Sequence, residues 1–211
     1  MPRNSRLVAI GYPHHITQRG NNREPVFFDD EDRWSYLDVL SHYTRKYQVD
    51  IWAYCLMTNH IHLLAVPQIP EGLARGVGLA NMTFTQYINR KYHRSGRIWQ
   101  NRFFSSVVDT DSHLWAVARY IENNPVTAGI VNDAEDFEWS SARHHVLEIA
   151  DPVIKQPSWL NPLDRESYRD FLAEDDKRMA KTIEQATRSG RPICGSEIST
   201  HLATILDQCS L

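Results

Sequence analysis

Two histidines one residue apart, in the run MTNHIHLL at 57–64, have the spacing of a reactive pair. Side chains at i and i+2 of a β-strand share a face, so His60 and His62 project together while Ile61 and Leu63 face the other way. Adjacent imidazoles on a rigid strand can supply two metal ligands. The plainer reading is two histidines on a half-solvated sheet face. A third donor and a nucleophile would separate these readings, and the run YIENN at 120–124 offers both. In a helix Tyr120 and Asn124 lie one turn apart, on one flank of the apolar stripe Leu114, Val117, Ala118 and Ile121. An amide oxygen suits a hard divalent cation, and a phenol is a nucleophile. Taken alone, the same pair also fits a core-edge tyrosine and a C-capping asparagine before Pro125. Glu122 points away from Tyr120 on the helical wheel and reads as surface.

A second set of residues has the chemistry of nucleic-acid binding. The tract QYINRKYHRSGRIWQNR at 86–102 carries Arg90, Lys91, Arg94, Arg97 and Arg102 with no acid, and Tyr87, Tyr92 and Trp99 are interleaved. Cations hold phosphates and aromatic rings can stack unpaired bases; in a plain solvated helix end those rings would instead turn inward. Arg3, Arg6, Arg19, Asn21, Asn22 and Arg23 form another polar-basic group, whose Asn and Arg side chains can read base edges. His14, His15 and His113 read as structural or phosphate-facing rather than as ligands. A net charge of −3 conceals a split: residues 1–108 hold thirteen Lys/Arg against eight acids, and residues 109–211 hold ten against eighteen. The basic half is the expected binding half, with the acidic remainder expected to pack over the site.

These residues need elements to position them. His14–Arg19 reads as a short strand, and Asp29–Asp32 as the acidic start of a helix with Trp34, Leu37, Leu40, Thr44 and Tyr47 at helical spacing. Residues 48–57 read as a strand with Val49, Ile51, Ala53 and Cys55 on one face. Thr58-Asn59 reads as a hairpin turn and His60–Val66 as the returning strand. A second helix is expected over 71–92 with Leu73, Val77, Ala80, Phe84 and Ile88 inward, and a further strand over 98–108. That order, β-α-β-β-α-β, predicts an α+β, ferredoxin-like (split β-α-β) antiparallel sheet with helices on one face and the other face open for binding. A helix over 111–123 follows, and helical signals recur near 140–149, 164–188 and 195–208. We expect a catalytic domain over 1–150 and a helical C-terminal extension over 151–211.

No apolar run approaches a membrane span, and the N-terminus shows no secretory h-region. Cys55, Cys194 and Cys209 are too few and too scattered for a disulfide framework or zinc cluster, which suits a reducing cytoplasm.

The motifs HHITQRGNN, CLMTNHIHLL, GRIWQNRFFSS and ARYIENNPVTAGIV occur in this order, and GRPICGSE follows at 190–197. Together with His-x-His and Tyr-x-x-x-Asn they resemble the single-tyrosine transposases of the IS200/IS605 type, above all the REP-associated tyrosine transposases. The resemblance covers residues 12–145. It implies a metal-dependent enzyme that cleaves and rejoins single-stranded DNA hairpins carrying a short 5′ guide sequence. It also implies a 5′-phosphotyrosyl intermediate on Tyr120, a free 3′-OH, and a monomer that uses its own tyrosine rather than a helix-swapped dimer. Two nitrogens and one oxygen from His60, His62 and Asn124 suit Mg²⁺ or Mn²⁺. Three other readings stay open: a silent hairpin-binding regulator, a two-histidine phosphoesterase that uses water, and a structural zinc protein.

Overall fold

The computed structural model describes residues 7–109, 111–155, 160, 165–174, 176–194, 200 and 202–204. Arg3, Arg6 and most of 195–208 lie outside them. Four strands, β1 (His14–Arg19), β2 (Val49–Met57), β3 (His60–Pro67) and β4 (Phe104–Val107), form one sheet in the order β2-β3-β1-β4. Every pairing is antiparallel. Helix α1 (Asp30–Lys46) joins β1 to β2, and α2 (Gly72–Lys91) joins β3 to β4. This is the expected α+β, ferredoxin-like order. Beyond it come α3 (Asp111–Glu122), the single turn α4 (Asn124–Thr127), α5 (Ala142–Leu147), α6 (Arg165–Ala173) and α7 (Lys177–Ser189).

Helix α1 starts where its acids predict. The Asp29 side chain accepts a hydrogen bond from the Asp32 backbone N–H, and Arg45 and Lys46 close the last turn, each end matching the helix dipole. Tyr36, Leu37 and Leu40 of α1 and Leu73, Val77, Ala80, Phe84 and Ile88 of α2 pack on one sheet face, against Ile16, Ile51, Tyr54, Leu56, Ile61 and Leu63. Trp34, at the start of the helically spaced set, is 53% exposed and lies edge-on to Trp139.

The opposite face is covered, not open. Ala53, Cys55 and Leu64 meet Leu114, Val117, Ala118 and Ile121 of α3, joined by Tyr168 and Leu172 of α6 and Ile183 of α7. The apolar stripe of α3 needs a partner, and this face of the sheet supplies one. Helices from the expected extension beyond residue 150 thus share a core with the helix that carries Tyr120.

Strand β2 serves both faces through a bulge. Its pairing with β3 slips between Ile51 and Ala53, so Val49 and Ile51 face α1 and α2 while Ala53 and Cys55 face α3. The expectation that all four share a face is corrected: one extra residue inverts the alternation. The last strand is also shorter than expected. Residues 98–103 cross the end of β1, with Asn21 N–H donating to Ile98 O and Gln100 N–H to Arg19 O. Ile98, Trp99 and Phe103 are buried in this loop, giving it the apolar content of a strand without the ladder. Residues 190–194 run past β4 instead, where Ile193 N–H donates to Val107 O and Asp109 N–H to Ile193 O. Among the described residues no helix is long and apolar enough to cross a membrane.

Candidate active site

Strand alternation puts His60, His62 and Leu64 on the α3 side of β3, and the antiparallel register adds neighbours from β1. Arg19 lies opposite His60, Thr17 opposite His62 and His15 opposite Leu64. His15 is therefore a diagonal neighbour of His62 on the same face. The two rings lie within 8° of parallel with centroids 5.3 Å apart, edge to edge, and His15 Nε2 lies 3.0 Å from His62 Nδ1. His15 Nδ1 lies 2.7 Å from the Thr187 hydroxyl of α7. His60 stands edge-on to His62 at 5.1 Å.

Helix α3 lays Tyr120 over this group. Its ring meets His62 at 5.4 Å and His15 at 5.5 Å, edge-on to both. Tyr120 is half-buried, and burial with the Glu184 carboxylate of α7 pushes its phenol up to about 12, opposed by the Arg19 guanidinium. Asn124 begins the turn after α3, and its Nδ2 donates to Tyr120 O at 2.7 Å. Its carbonyl oxygen is the atom left to meet His60, whose titration the Asn124 side chain affects. The turn containing Pro125 thus anchors the amide instead of leaving Asn124 as a frayed cap.

Both histidines are held neutral. Burial, with Arg19 adding repulsion, pushes His60 down to about 4. Burial pushes His62 well below its ordinary value, and His15, His60 and Arg19 add to it. The tautomer of His60 follows from Asn59, whose Nδ2 donates to Arg23 O. Asn59 Oδ1, 2.7 Å from His60 Nδ1, can only accept, so Nδ1 carries the proton and Nε2 is a bare lone pair. Among the described residues no group of three or more His, Cys, Asp or Glu side chains has metal-binding geometry. The third donor here is an amide, outside that set.

Glu122 is not at the surface. It is fully buried, receiving hydrogen bonds from Ser141 and from Tyr168 Oη at 2.7 Å, with His145 Nδ1 at 2.7 Å. The flank of α3 opposite Tyr120 packs against α5 and α6, so the wheel direction was right and the solvent was not there.

The expected DNA-contacting residues separate. Arg19 sits beside the histidines, and Asn21, Asn22 and Arg23 form an adjoining 3-10 turn with left-handed backbone at Asn22 and Arg23. Gly20 sets that turn against the hairpin: its N–H donates to Asn59 O, and a Cβ there would collide with Glu24 O. Arg90, Arg94, Arg97 and Arg102 are exposed, with Arg94 over the Phe28 ring. Lys91 is engaged by Asp29, Glu31 and Asp32 at 2.8–2.9 Å. The aromatics of this tract turn inward: Trp99 Nε1 donates to Asn81 O, and Tyr92 Oη lies 3.0 Å and 2.9 Å from carboxylate oxygens of Asp29 and Asp32, sharing its one proton between them. His14 is structural, with Nδ1 2.8 Å from Tyr12 O and Nε2 accepting from Ala9 N–H. His113 stands in the first turn of α3, about two turns before Tyr120. Sequence reasoning missed the place of His15 beside His62; its shared parity with Thr17 and Arg19 across β3 was the available signal.

A family model for IS200-like transposases matches residues 10–124, more than half of the chain and all four residues His60, His62, Tyr120 and Asn124. The chain belongs to the IS200-like transposase family. As a member it is an enzyme of DNA strand transfer, as its motifs led us to expect. It is similar to a Haemophilus influenzae protein assigned by name to the REP-associated tyrosine transposases, 29% identical over 127 residues, covering 56% of this chain and 70% of that one. Its fold is similar to the solved structure of a REP-associated tyrosine transposase bound to a REP hairpin. The TM-score is 0.60 at 18% identity, over 76% of this chain and 98% of that one.

Proposed function

We propose that this IS200-like transposase is a metal-dependent single-stranded DNA transposase and endonuclease that cleaves and rejoins REP-type hairpins. Tyr120 is its nucleophile, and His60, His62 and Asn124 are its cation ligands. The observation that carries this reading is the meeting of Tyr120 with His62, at 5.4 Å, where His60 and Asn124 complete the same group. The donors fit Mg²⁺ or Mn²⁺: two neutral imidazoles, one with its Nε2 lone pair fixed by Asn59, an amide oxygen and no thiolate. When bound, such a cation neutralises charge on the scissile phosphate and eases ionisation of a nearby phenol.

The side chains account for the remaining steps. The Tyr120 hydroxyl is protonated at neutral pH, as any phenol is; burial and Glu184 make its ionisation harder still, and it loses its proton to solvent as it attacks. The bond from Tyr120 Oη to phosphorus forms while the bond to the 3′ oxygen breaks, and that oxygen takes up a proton. The product is a 5′-phosphotyrosyl chain and a free 3′-OH. A second 3′-OH can reverse the attack and join strands without ATP, because the phosphodiester energy is kept in the tyrosyl ester. Arg19, cross-strand from His60, meets the phosphate and favours the phenolate. Exposed Arg90, Arg94, Arg97 and Arg102 track the backbone, while Asn21, Asn22 and Arg23 read bases beside the cleavage site. One chain brings its own tyrosine to its own histidines, which supports a site completed without a swapped helix, and we take the enzyme as a monomer.

The test is covalent capture. Labelled single-stranded hairpin DNA incubated with Mg²⁺ or Mn²⁺ is expected to become attached to the wild-type chain and not to Tyr120→Phe, which should still bind the hairpin. Cleavage by Tyr120→Phe without an adduct would replace this reading with a water-using phosphoesterase. Binding with no cleavage by the wild type would replace it with a regulator.

A further inference from the structure

A line of hydrogen bonds runs from α7 to the metal-ligand candidate His62, and its direction can be read atom by atom. Thr187 has one hydroxyl proton, and it donates to Ile183 O at 2.9 Å. Toward His15 Nδ1, 2.7 Å away, that oxygen can then only accept, so Nδ1 carries a proton. The 3.0 Å contact between His15 Nε2 and His62 Nδ1 holds one proton between two nitrogens. With Nδ1 of His15 occupied, neutral His15 has a bare Nε2, and the shared proton belongs to His62 Nδ1. That leaves His62 with its lone pair on Nε2, the same tautomer that Asn59 imposes on His60. The near-coplanar setting of the two rings, 8° from parallel with centroids 5.3 Å apart, fixes the plane as well as the proton. Thr187 and His15 are both 1% exposed, so water does not compete for these bonds.

We propose that His15 and Thr187 are positioning residues that hold His62 in the Nδ1–H tautomer with Nε2 presented to the cation, so that α7 must be docked for metal to bind. This rests on the metal reading given above and assigns the C-terminal segment a task in it. Partners that orient a ligating histidine commonly matter by ten- to a hundredfold in metal affinity. The opposite polarity, with Thr187 donating to His15, would leave a proton on His62 Nε2 and block coordination.

The experiment uses the full chain without DNA. Long-range ¹H–¹⁵N spectra of the metal-free wild type should show His62 as a single Nδ1–H form; an Nε2–H form overturns the proposal without any variant. Thr187→Val keeps the shape and removes the hydroxyl. It should give His62 mixed tautomers and weaken Mn²⁺ binding, followed by the electron-spin signal of free Mn²⁺, by about 10–100-fold. Thr187→Ser should restore both, and cleavage by Thr187→Val should recover at saturating Mn²⁺. A folded Thr187→Val that binds Mn²⁺ within twofold of wild type, with His62 unchanged, overturns the proposal and leaves the metal reading standing. A wild type that binds neither Mn²⁺ nor Mg²⁺ overturns both.

Discussion

Both faces of the sheet are buried, with contrasting chemistry. Toward α1 and α2 the interior is aliphatic and aromatic, with Phe27, Tyr36, Phe84 and Trp99 in mutual contact. Its polar atoms are few, and Asn81 satisfies both the Tyr36 hydroxyl and the Trp99 indole. Toward α3, α6 and α7 the interior holds His15, His62, Glu122, Ser141, His145 and Thr187, all buried. Apolar burial is non-directional and tolerates adjustment. Buried polar groups must be partnered in fixed geometry, since each one left unsatisfied costs about 1–3 kcal/mol. The first face therefore holds the sheet rigid, and the second uses that rigidity to aim atoms.

Substitutions on the two faces should fail in different ways. His60→Ala and His62→Ala should each remove metal-dependent cleavage and adduct formation altogether. Asn124→Ala should retain some activity at high Mn²⁺, since water can take the place of the amide. Phe84→Ala should instead cost about 3–5 kcal/mol of stability while the folded fraction cleaves normally, as urea unfolding and gel assays on the same samples would show. Cleavage that survives both histidine variants would end the contrast.

Glu122→Ala tests the polar face as structure. Removing the carboxylate leaves Ser141, Tyr168 and His145 without their shared partner, with an expected loss of about 3–5 kcal/mol. Glu122→Gln should lose less. A loss below about 1 kcal/mol would mean that the network relaxes as a surface does.

His14 brings the same physics to the apolar side. Burial pushes its pKa down to about 4, below the 6.5 of an unfolded chain. Between those values the unfolded state binds a proton that the folded state refuses, so stability is full above about pH 6.5 and falls as pH drops toward 4. The loss from this one group is up to about 3 kcal/mol. His14→Gln should flatten that part of the profile; an unchanged profile would assign the acid sensitivity elsewhere.

The smallest effects concern DNA. Arg90, Arg94 and Arg97 substitutions should weaken hairpin binding about equally for all sequences, each flattening the log–log salt slope by roughly 0.7–0.9. Lys91→Met should lower the melting temperature and leave that slope alone, because three carboxylates already hold the ammonium. Changes at Arg19, Asn21 or Asn22 should alter sequence preference more than affinity. A slope change at Lys91 equal to that at Arg97 would show that the carboxylates release it to DNA.

What the sequence showed depended on the range of the physics involved. Strand β1, the two-residue hairpin and the inward stripe of α2 follow from local alternation and periodicity, and all three appear as expected. The bulge at Trp52 is invisible because alternation runs unbroken through Val49, Ile51, Ala53 and Cys55. Residues 98–103 read as strand because a buried loop needs the same apolar side chains. Tyr120 and Asn124 could be paired by helical spacing, but the partners of Glu122 lie 19 to 46 residues away. The link between His15 and α7 spans more of the chain still, and no local pattern encodes it.

That span has a consequence for synthesis. His15 and Thr187 are 172 positions apart, so the first strand of the sheet waits for that much further chain before its histidine meets that hydroxyl. At about 5–20 residues per second, the delay is on the order of ten to thirty seconds. A ribosome-bound chain that has already exposed Tyr120, His60 and His62 still lacks the segment that orients His62. A DNA-cutting centre assembled in this order acquires these contacts only after α7 has been made.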